Sequence, residues 1–219
     1  MIKNVIFDLG GVLLNLDLQR CFDEFKALGM DVDKVLKSSV STYGTGATMC
    51  DGMAAVGVMD LYQVGKISTP DFFCEIQKQC APETTVEQVM NAWNSWILDI
   101  PQCKLDLIKD LKRRGYNVYM LSNTNDAHWK KIEKDNFPEP VSNYFDDIFL
   151  SQELGLAKPN EEIYHEVLRR ISEGQGQEVK PEECLFFDDS CANCDVANSL
   201  GIKAIKYEIG NELKVDTYL

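Results

Sequence analysis

The sequence predicts an α/β protein, a parallel sheet flanked by helices, with an all-helical subdomain inserted after the first strand. Three observations lead there. From Pro101 onward, short apolar runs alternate with amphipathic stretches of about 10 to 15 residues, the rhythm of βαβ units. One further apolar run, Lys3–Asp8, stands alone near the N-terminus. Between the two, residues 17 to 98 carry only helical patterns, which breaks the alternation and marks an insertion. A length of 219 residues suits one domain carrying a smaller one, and 45% hydrophobic with 10% aromatic residues supply a sizeable core.

The elements follow in order. Lys3–Asp8 is read as a strand ending in an acid, and Leu9-Gly10-Gly11 after it lets a ligand approach the backbone closely. Asp17–Gly29 has helical spacing (Leu18, Cys21, Phe22, Phe25, Leu28) and stops at a glycine. Asp31–Val40 is read as a short helix, and the glycine- and methionine-rich Tyr43–Gly65 as flexible or partly helical. Ser68-Thr69-Pro70-Asp71 opens a helix with an N-cap and an early proline. The next helix is expected over Thr85–Leu98, with Trp93 and Trp96 packing where the insert meets the sheet. Beyond Pro101 come a helix (Cys103–Arg114), a strand (Tyr116–Leu121), a polar turn (Ser122-Asn123-Thr124-Asn125) and a helix (Asp126–Asp135). Then follow a strand (Asp147–Leu150), a helix (Asn160–Ile171), a strand (Leu185–Phe187) ending in Asp188-Asp189, a helix (Cys191–Leu200) and a last strand (Ile202–Ile205). His165, mid-helix, is read as structural.

Composition excludes some functions. With 22 Lys and Arg against 35 Asp and Glu, the net charge is −13, which argues against nucleic-acid or anionic-membrane partners that need basic surface. Neither a signal-peptide core nor an apolar run of about 18 residues is present, so the expectation is a cytoplasmic protein. Eight cysteines in such a chain are read as thiols, with Cys21, Cys74, Cys103 and Cys184 expected inside. Cys191-x-x-Cys194 stands apart. It is half of a zinc site without a second half, a redox pair, or two reduced thiols.

In open α/β sheets ligands bind at the carboxyl ends of strands. Asp8, Ser122-Asn123, Lys158 and Asp188-Asp189 all fall at such ends, although each alone also suits a cap or a turn. Three carboxylates brought together repel unless a cation neutralises them, and oxygen ligands with waters suit Mg²⁺. A lysine and a hydroxyl beside that metal complement a phosphate, which points to metal-assisted phosphoryl chemistry.

Four segments carry a resemblance. Val5-Ile6-Phe7-Asp8-Leu9-Gly10-Gly11-Val12, Leu121–Asn125, Ala157-Lys158-Pro159 and Phe186–Ser190 resemble, in order and spacing, the four motifs of the haloacid dehalogenase (HAD) superfamily of hydrolases. With Leu61–Ser68 and Ser122–His128, the chain is most similar to the bacterial branch that contains α-D-glucose-1-phosphate phosphatase. The resemblance implies a three-layer Rossmann-like core over residues 1–15 and 99–219, and a helical cap over 16–98 that sets substrate choice. It implies Asp8 as nucleophile and metal ligand, forming an aspartyl-phosphate. Ser122 would donate to a phosphoryl oxygen, Asn123 would position substrate, and Lys158 would offset charge. Asp189 would be the second metal carboxylate, and Asp188 would join through water or orient Lys158.

The sequence departs from that pattern at Gly10. Most phosphatases of the superfamily carry an aspartate there, which gives its carbonyl to the metal and its side chain as general acid/base. The Gly10 carbonyl remains, but the acid/base, usually contributing ~10²–10⁴-fold, is missing. The favoured explanation is a good leaving group, such as the anomeric oxygen of a hexose 1-phosphate. Alternatively Asp17 or His128 substitutes, unless Asp17 merely caps its helix and His128 lies on a helix surface. The expected function is therefore a Mg²⁺-dependent phosphatase of a small phosphorylated metabolite. A catalytically weak phosphometabolite-binding protein is the competing class. Dehalogenation needs no metal and sits poorly with the Asp188-Asp189 pair, and a mutase would need the missing acid.

Overall fold

A computed structural model of the chain describes residues 1–33 and 55–219. Five strands form one parallel sheet in the order β3-β2-β1-β4-β5, with β1 Asn4–Phe7, β2 Asn117–Ser122, β3 Asp147–Leu150, β4 Cys184–Asp188 and β5 Lys203–Lys206. β1 lies in the middle because its four residues are all buried, as a strand covered on both faces requires. Alternate residues serve opposite faces. Val5 and Phe7 join Val118, Met120, Leu185 and Phe187 in one core, whereas Ile6 joins Tyr119, Leu121 and Phe186 in the other.

Helices close both faces, giving three layers. Leu105, Ile108 and Leu111, one stripe of the helix Gln102–Arg113, pack into the first core beside Trp129 and Ile132 of Asp126–Asn136. On the other face Ile163, Tyr164 and Val167 of Glu161–Gln175 and Ala197 of Cys191–Ser199 fill the second core. A short helix, Ser151–Leu154, follows β3 and was not anticipated, since four residues are too few to show a helical period.

The helical insert, expected to form the cap, has a core of its own. Its helices are α1 Leu18–Ala27, α2 Ala55–Gln63, α3 Thr69–Gln77 and α4 Val86–Asn94. Cys21, Phe25, Tyr62, Phe72, Phe73 and Trp93 form a third cluster, to which the sheet domain contributes Ala127. The Tyr62 and Phe72 rings stack at 4.1 Å, and Phe72 meets Trp93 edge-on at 4.9 Å, contacts worth about 0.5–1.5 kcal/mol each beyond the area they bury. The expected helix over Asp31–Val40 and the part of Tyr43–Gly65 before residue 55 lie mostly outside the described residues.

Two expectations are corrected. The helix predicted to reach Leu98 stops at Asn94, because the following residues pair with the chain on its way into the cap. Asp17 N–H donates to Trp96 O at 2.8 Å, Leu98 N–H to Asn15 O at 3.1 Å, and Asn15 N–H to Asp99 O at 2.9 Å. Of the cysteines expected inside, Cys21 and Cys184 are buried, but Cys74 and Cys103 are exposed. Phe73 and Ile76 take the inward face around Cys74, and Leu105 and Ile108 take it beside Cys103. Among the described residues no helix is long and apolar enough to cross a membrane.

Candidate active site

Parallel pairing brings the carboxyl ends of β1, β2 and β4 to one edge of the sheet. Asp8 continues β1 and donates its N–H to Phe187 O at 2.8 Å, which sets it level with Asp188 at the end of β4. Between them stands the Lys158 ammonium, 2.9 Å from Asp8 Oδ1 and 2.6 Å from Asp188 Oδ2. Its third proton goes to Leu121 O at 2.9 Å, so all three donors have acceptors. Asp8, Lys158, Ser122 and Asp188 are all buried.

Loops hold these groups in place. Asn123 Oδ1 accepts from Lys158 N–H and Asn123 Nδ2 donates to Lys158 O, each at 2.8 Å. Asn123, expected to position substrate, thus has both ends of its amide engaged in shaping the loop that carries the lysine. Asp188 Oδ1 accepts from Ser190 N–H at 2.8 Å, and Asn193 Nδ2 lies 2.9 and 3.1 Å from its two oxygens. Asp188 is therefore held by Ser190 and Asn193 and bonded in turn to the Lys158 ammonium. Asn193 was missed by sequence reasoning; its signal was an amide one helical turn beyond the acidic pair.

Electrostatically the site is unbalanced. Burial pushes Asp8 up to about 7; Lys158 opposes this, while Asp188 and Asp189 add to it. Asp189 is raised too, by burial and then by Asp188. Burial disfavours the Lys158 charge, but Asp188 and Asp8 outweigh it and hold the ammonium above its ordinary range. One ammonium cannot neutralise three carboxylates. One oxygen each from Asp8, Asp188 and Asp189 lies within 4.8 Å of the others, a grouping that could hold a metal ion, and an all-oxygen donor set suits Mg²⁺.

The turn after Asp8 is built for close approach. Gly11 has φ +76°, and a Cβ on it would lie 2.6 Å from Asp189 Oδ2. At Gly10 a Cβ would meet only Leu16 Cδ1, at 3.1 Å.

The two proposed substitutes for the missing acid lie elsewhere. Asp17 is exposed and caps α1, accepting from Arg20 N–H at 3.2 Å. His128 is neither an available acid/base nor a surface residue. It is 4% exposed, with its ring stacked on Trp93 at 4.8 Å and meeting Trp96 edge-on. Asn125 Oδ1 accepts from His128 N–H, Asn125 Nδ2 lies 2.9 Å from the ring Nδ1, and Nε2 lies 3.1 Å from the Trp96 indole nitrogen and 3.2 Å from Trp93 O. Burial, only partly offset by that carbonyl, lowers His128 to about 3, and the ring is neutral. It joins cap to sheet domain instead of serving chemistry.

The cap is fastened beside the site as well. Tyr62 hydroxyl accepts from Ala127 N–H at 3.0 Å, and Thr69 donates to Asp126 at 2.8 Å. Ser151 Oγ donates toward Gln63 O (2.7 Å) in the cap and Thr124 O (3.0 Å) in the polar turn, and accepts from Thr124 N–H.

Comparison with known proteins agrees with this arrangement. The family model "haloacid dehalogenase-like hydrolase" matches residues 2–201, and the chain belongs to that family. It is similar to the D-ribitol-5-phosphate phosphatase of Bacteroides thetaiotaomicron, 31% identical over 214 residues, 96% of this chain and 94% of the relative. Among solved structures, the HAD family enzyme bt-2542 from the same organism, crystallised with magnesium and inorganic phosphate, is 35% identical with a TM-score of 0.80 over the whole of both chains. A predicted HAD-like hydrolase from Porphyromonas gingivalis is 29% identical with a TM-score of 0.78, covering 99% of this chain and 96% of that one.

Proposed function

We propose that this hydrolase is a Mg²⁺-dependent phosphatase of a small phosphorylated metabolite, a sugar or polyol phosphate. The observation that carries the reading is the convergence of Asp8, Lys158, Asp188 and Asp189 at one sheet edge, with oxygens grouped where one cation could be held. The named activity of the ribitol-phosphate relative and the magnesium and phosphate in the bt-2542 crystal support it.

Asp8 is the nucleophile. A carboxylate oxygen attacks phosphorus, the bond to the leaving oxygen breaks, and an aspartyl-phosphate forms; water then attacks phosphorus and regenerates the carboxylate. Lys158, fixed by Asp188, offsets negative charge on Asp8 and on the transferring group where water is excluded. Ser122 donates to a phosphoryl oxygen. Asp8, Asp188, Asp189 and the Gly10 carbonyl are the groups that would hold Mg²⁺, which when bound supplies charge neutralisation and polarises the phosphoryl oxygens. The cap, residues 16–98, covers this edge and selects the substrate, and the sheet domain comprises residues 1–15 and 99–219.

Gly10 decides what leaves. Without a carboxyl at that position, a hexose 1-phosphate, whose anomeric oxygen departs readily, is the favoured substrate. A polyol 5-phosphate is the second reading, favoured by the ribitol-phosphate relative. The test is Mg²⁺-dependent phosphate release from hexose 1- and 6-phosphates and pentitol 5-phosphates, with Asp8→Asn as control. Gly10→Asp has room once Leu16 shifts slightly, and should raise turnover of alkyl phosphates by up to ~10²-fold while barely changing 1-phosphates. Equal gains on both refute the leaving-group argument. No release from any ester, together with tight phosphate-ester binding, refutes the phosphatase.

A further inference from the structure

We propose that Cys191 and Cys194 form a reversible disulfide that switches the phosphate site off by disturbing Asp188. The pair opens the helix that follows Asp188-Asp189. Cys191 is exposed at its first position, and Cys194 is buried one turn later with Sγ 3.6 Å from Asp188 O. Ser190 stands at the N-cap of this helix, and the Lys206 ammonium, paired with Glu208 at 2.8 Å, also lies within hydrogen-bonding reach of the outer sulfur. An exposed thiol at the start of a helix with a resolving thiol three residues on is the arrangement of dithiol redox sites.

The chemistry balances with a small disulfide as oxidant, such as glutathione disulfide. Cys191 thiolate attacks one of its sulfurs, the S–S bond breaks, and one glutathione leaves as thiolate and takes a proton. Cys194 sulfur then attacks Cys191 sulfur, forming the internal bond and expelling the second glutathione. The protein loses two electrons and two protons, and the oxidant becomes two thiols. Cys194 is buried, which makes this second step the slower one.

Closure reaches the active site through Asn193, which lies between the two cysteines. Helical neighbours three apart have Cβ atoms about 5–6 Å apart, and a disulfide needs about 3.5–4.5 Å. The first turn must therefore tighten. That turn carries the Ser190 N–H and the Asn193 amide, the donors that hold both Asp188 oxygens, and Asp188 in turn holds Lys158. Tyr164 hydroxyl, donating to Asn193 O at 2.9 Å, resists movement of the far side, so strain falls on Asp188.

The test treats the full chain with glutathione disulfide, maps disulfides by mass spectrometry, and follows activity before and after dithiothreitol. Apart from glutathione adducts on exposed Cys74 and Cys103, the expected product is joined between Cys191 and Cys194 with the loss of two hydrogens there, and is at least ~10-fold less active, with full recovery on reduction. Cys194→Ser should stop at a glutathione adduct on Cys191, as exposed Cys74 and Cys103 do in the wild type. Only the activity reading rests on the proposed phosphatase; the mapping and the Mg²⁺ affinity of each form, measured by calorimetry, do not. Failure to form the Cys191–Cys194 bond, its formation through another cysteine instead, or an oxidised form with unchanged activity and unchanged Mg²⁺ affinity would each overturn the proposal.

Discussion

Asp8 makes metal-free stability depend on pH in a direction opposite to that of most carboxylates. Its carboxyl is pushed up to about 7 in the folded protein, from 3.8 for the free group. Below about pH 4 both folded and unfolded chains hold the proton. Between about 4 and 7 the folded chain keeps a proton that the unfolded chain gives up, so stability falls as pH rises and levels off above 7. Three pH units correspond to about 4 kcal/mol at most, at about 1.4 kcal/mol per unit. Asp8→Asn, similar in shape and without the charge, removes this contribution. Urea unfolding in EDTA from pH 4 to 8 should therefore show wild type losing stability relative to Asp8→Asn as pH rises. Saturating Mg²⁺ should reverse the order at pH 8, where the ionised carboxylate has its cation. A wild-type minus variant difference that is flat, or that grows with pH in EDTA, would refute the reasoning.

Two further outcomes follow from particular contacts. Gly65 has φ +68°, and a Cβ there would stand 2.2 Å from Gln152 O across the junction of cap and sheet domain. Gly65→Ala should lower the thermal midpoint well beyond the effect of Gly115→Ala, where φ is +88° and nothing lies within 4 Å, leaving only the roughly 1–2 kcal/mol conformational cost. Equal midpoints would mean the junction gives way freely. His128, lowered to about 3, should show ring NMR signals that stay fixed from pH 8 to about 4.5. Its neutral form adds stability as pH rises from about 3 to 6.5, and a midpoint near 6.5 would place the ring in water.

Much of this architecture was readable from the chain. Strand ends were marked by acids and polar turns, so Asp8, Ser122, Lys158 and Asp188-Asp189 could be assigned to one sheet edge before any coordinates. The insert was visible because a helical period replaced the β/α alternation. What escaped were contacts made across distance. Nothing local in Asp126–Asn136 tells that His128 turns inward, since the two tryptophans that enclose it come from the cap, 32 and 35 residues earlier. Asn123 reads as a polar turn residue, and only the fold shows its amide spent on the Lys158 backbone. Cys74 and Cys103 failed for a simpler reason: a thiol is small enough to sit on either side of a helix, and larger neighbours claimed the core.

Ser151 has one hydroxyl proton and two carbonyls near it, Gln63 O in the cap and Thr124 O in the turn beside the reacting groups. Were the cap to lift, the proton would pass wholly to Thr124 O, while water satisfied Gln63. Thr124 N–H would keep its acceptor throughout. The turn is thus never left with an unpaired buried group, and this junction can part and rejoin without the 1–3 kcal/mol that an orphaned donor or acceptor typically costs.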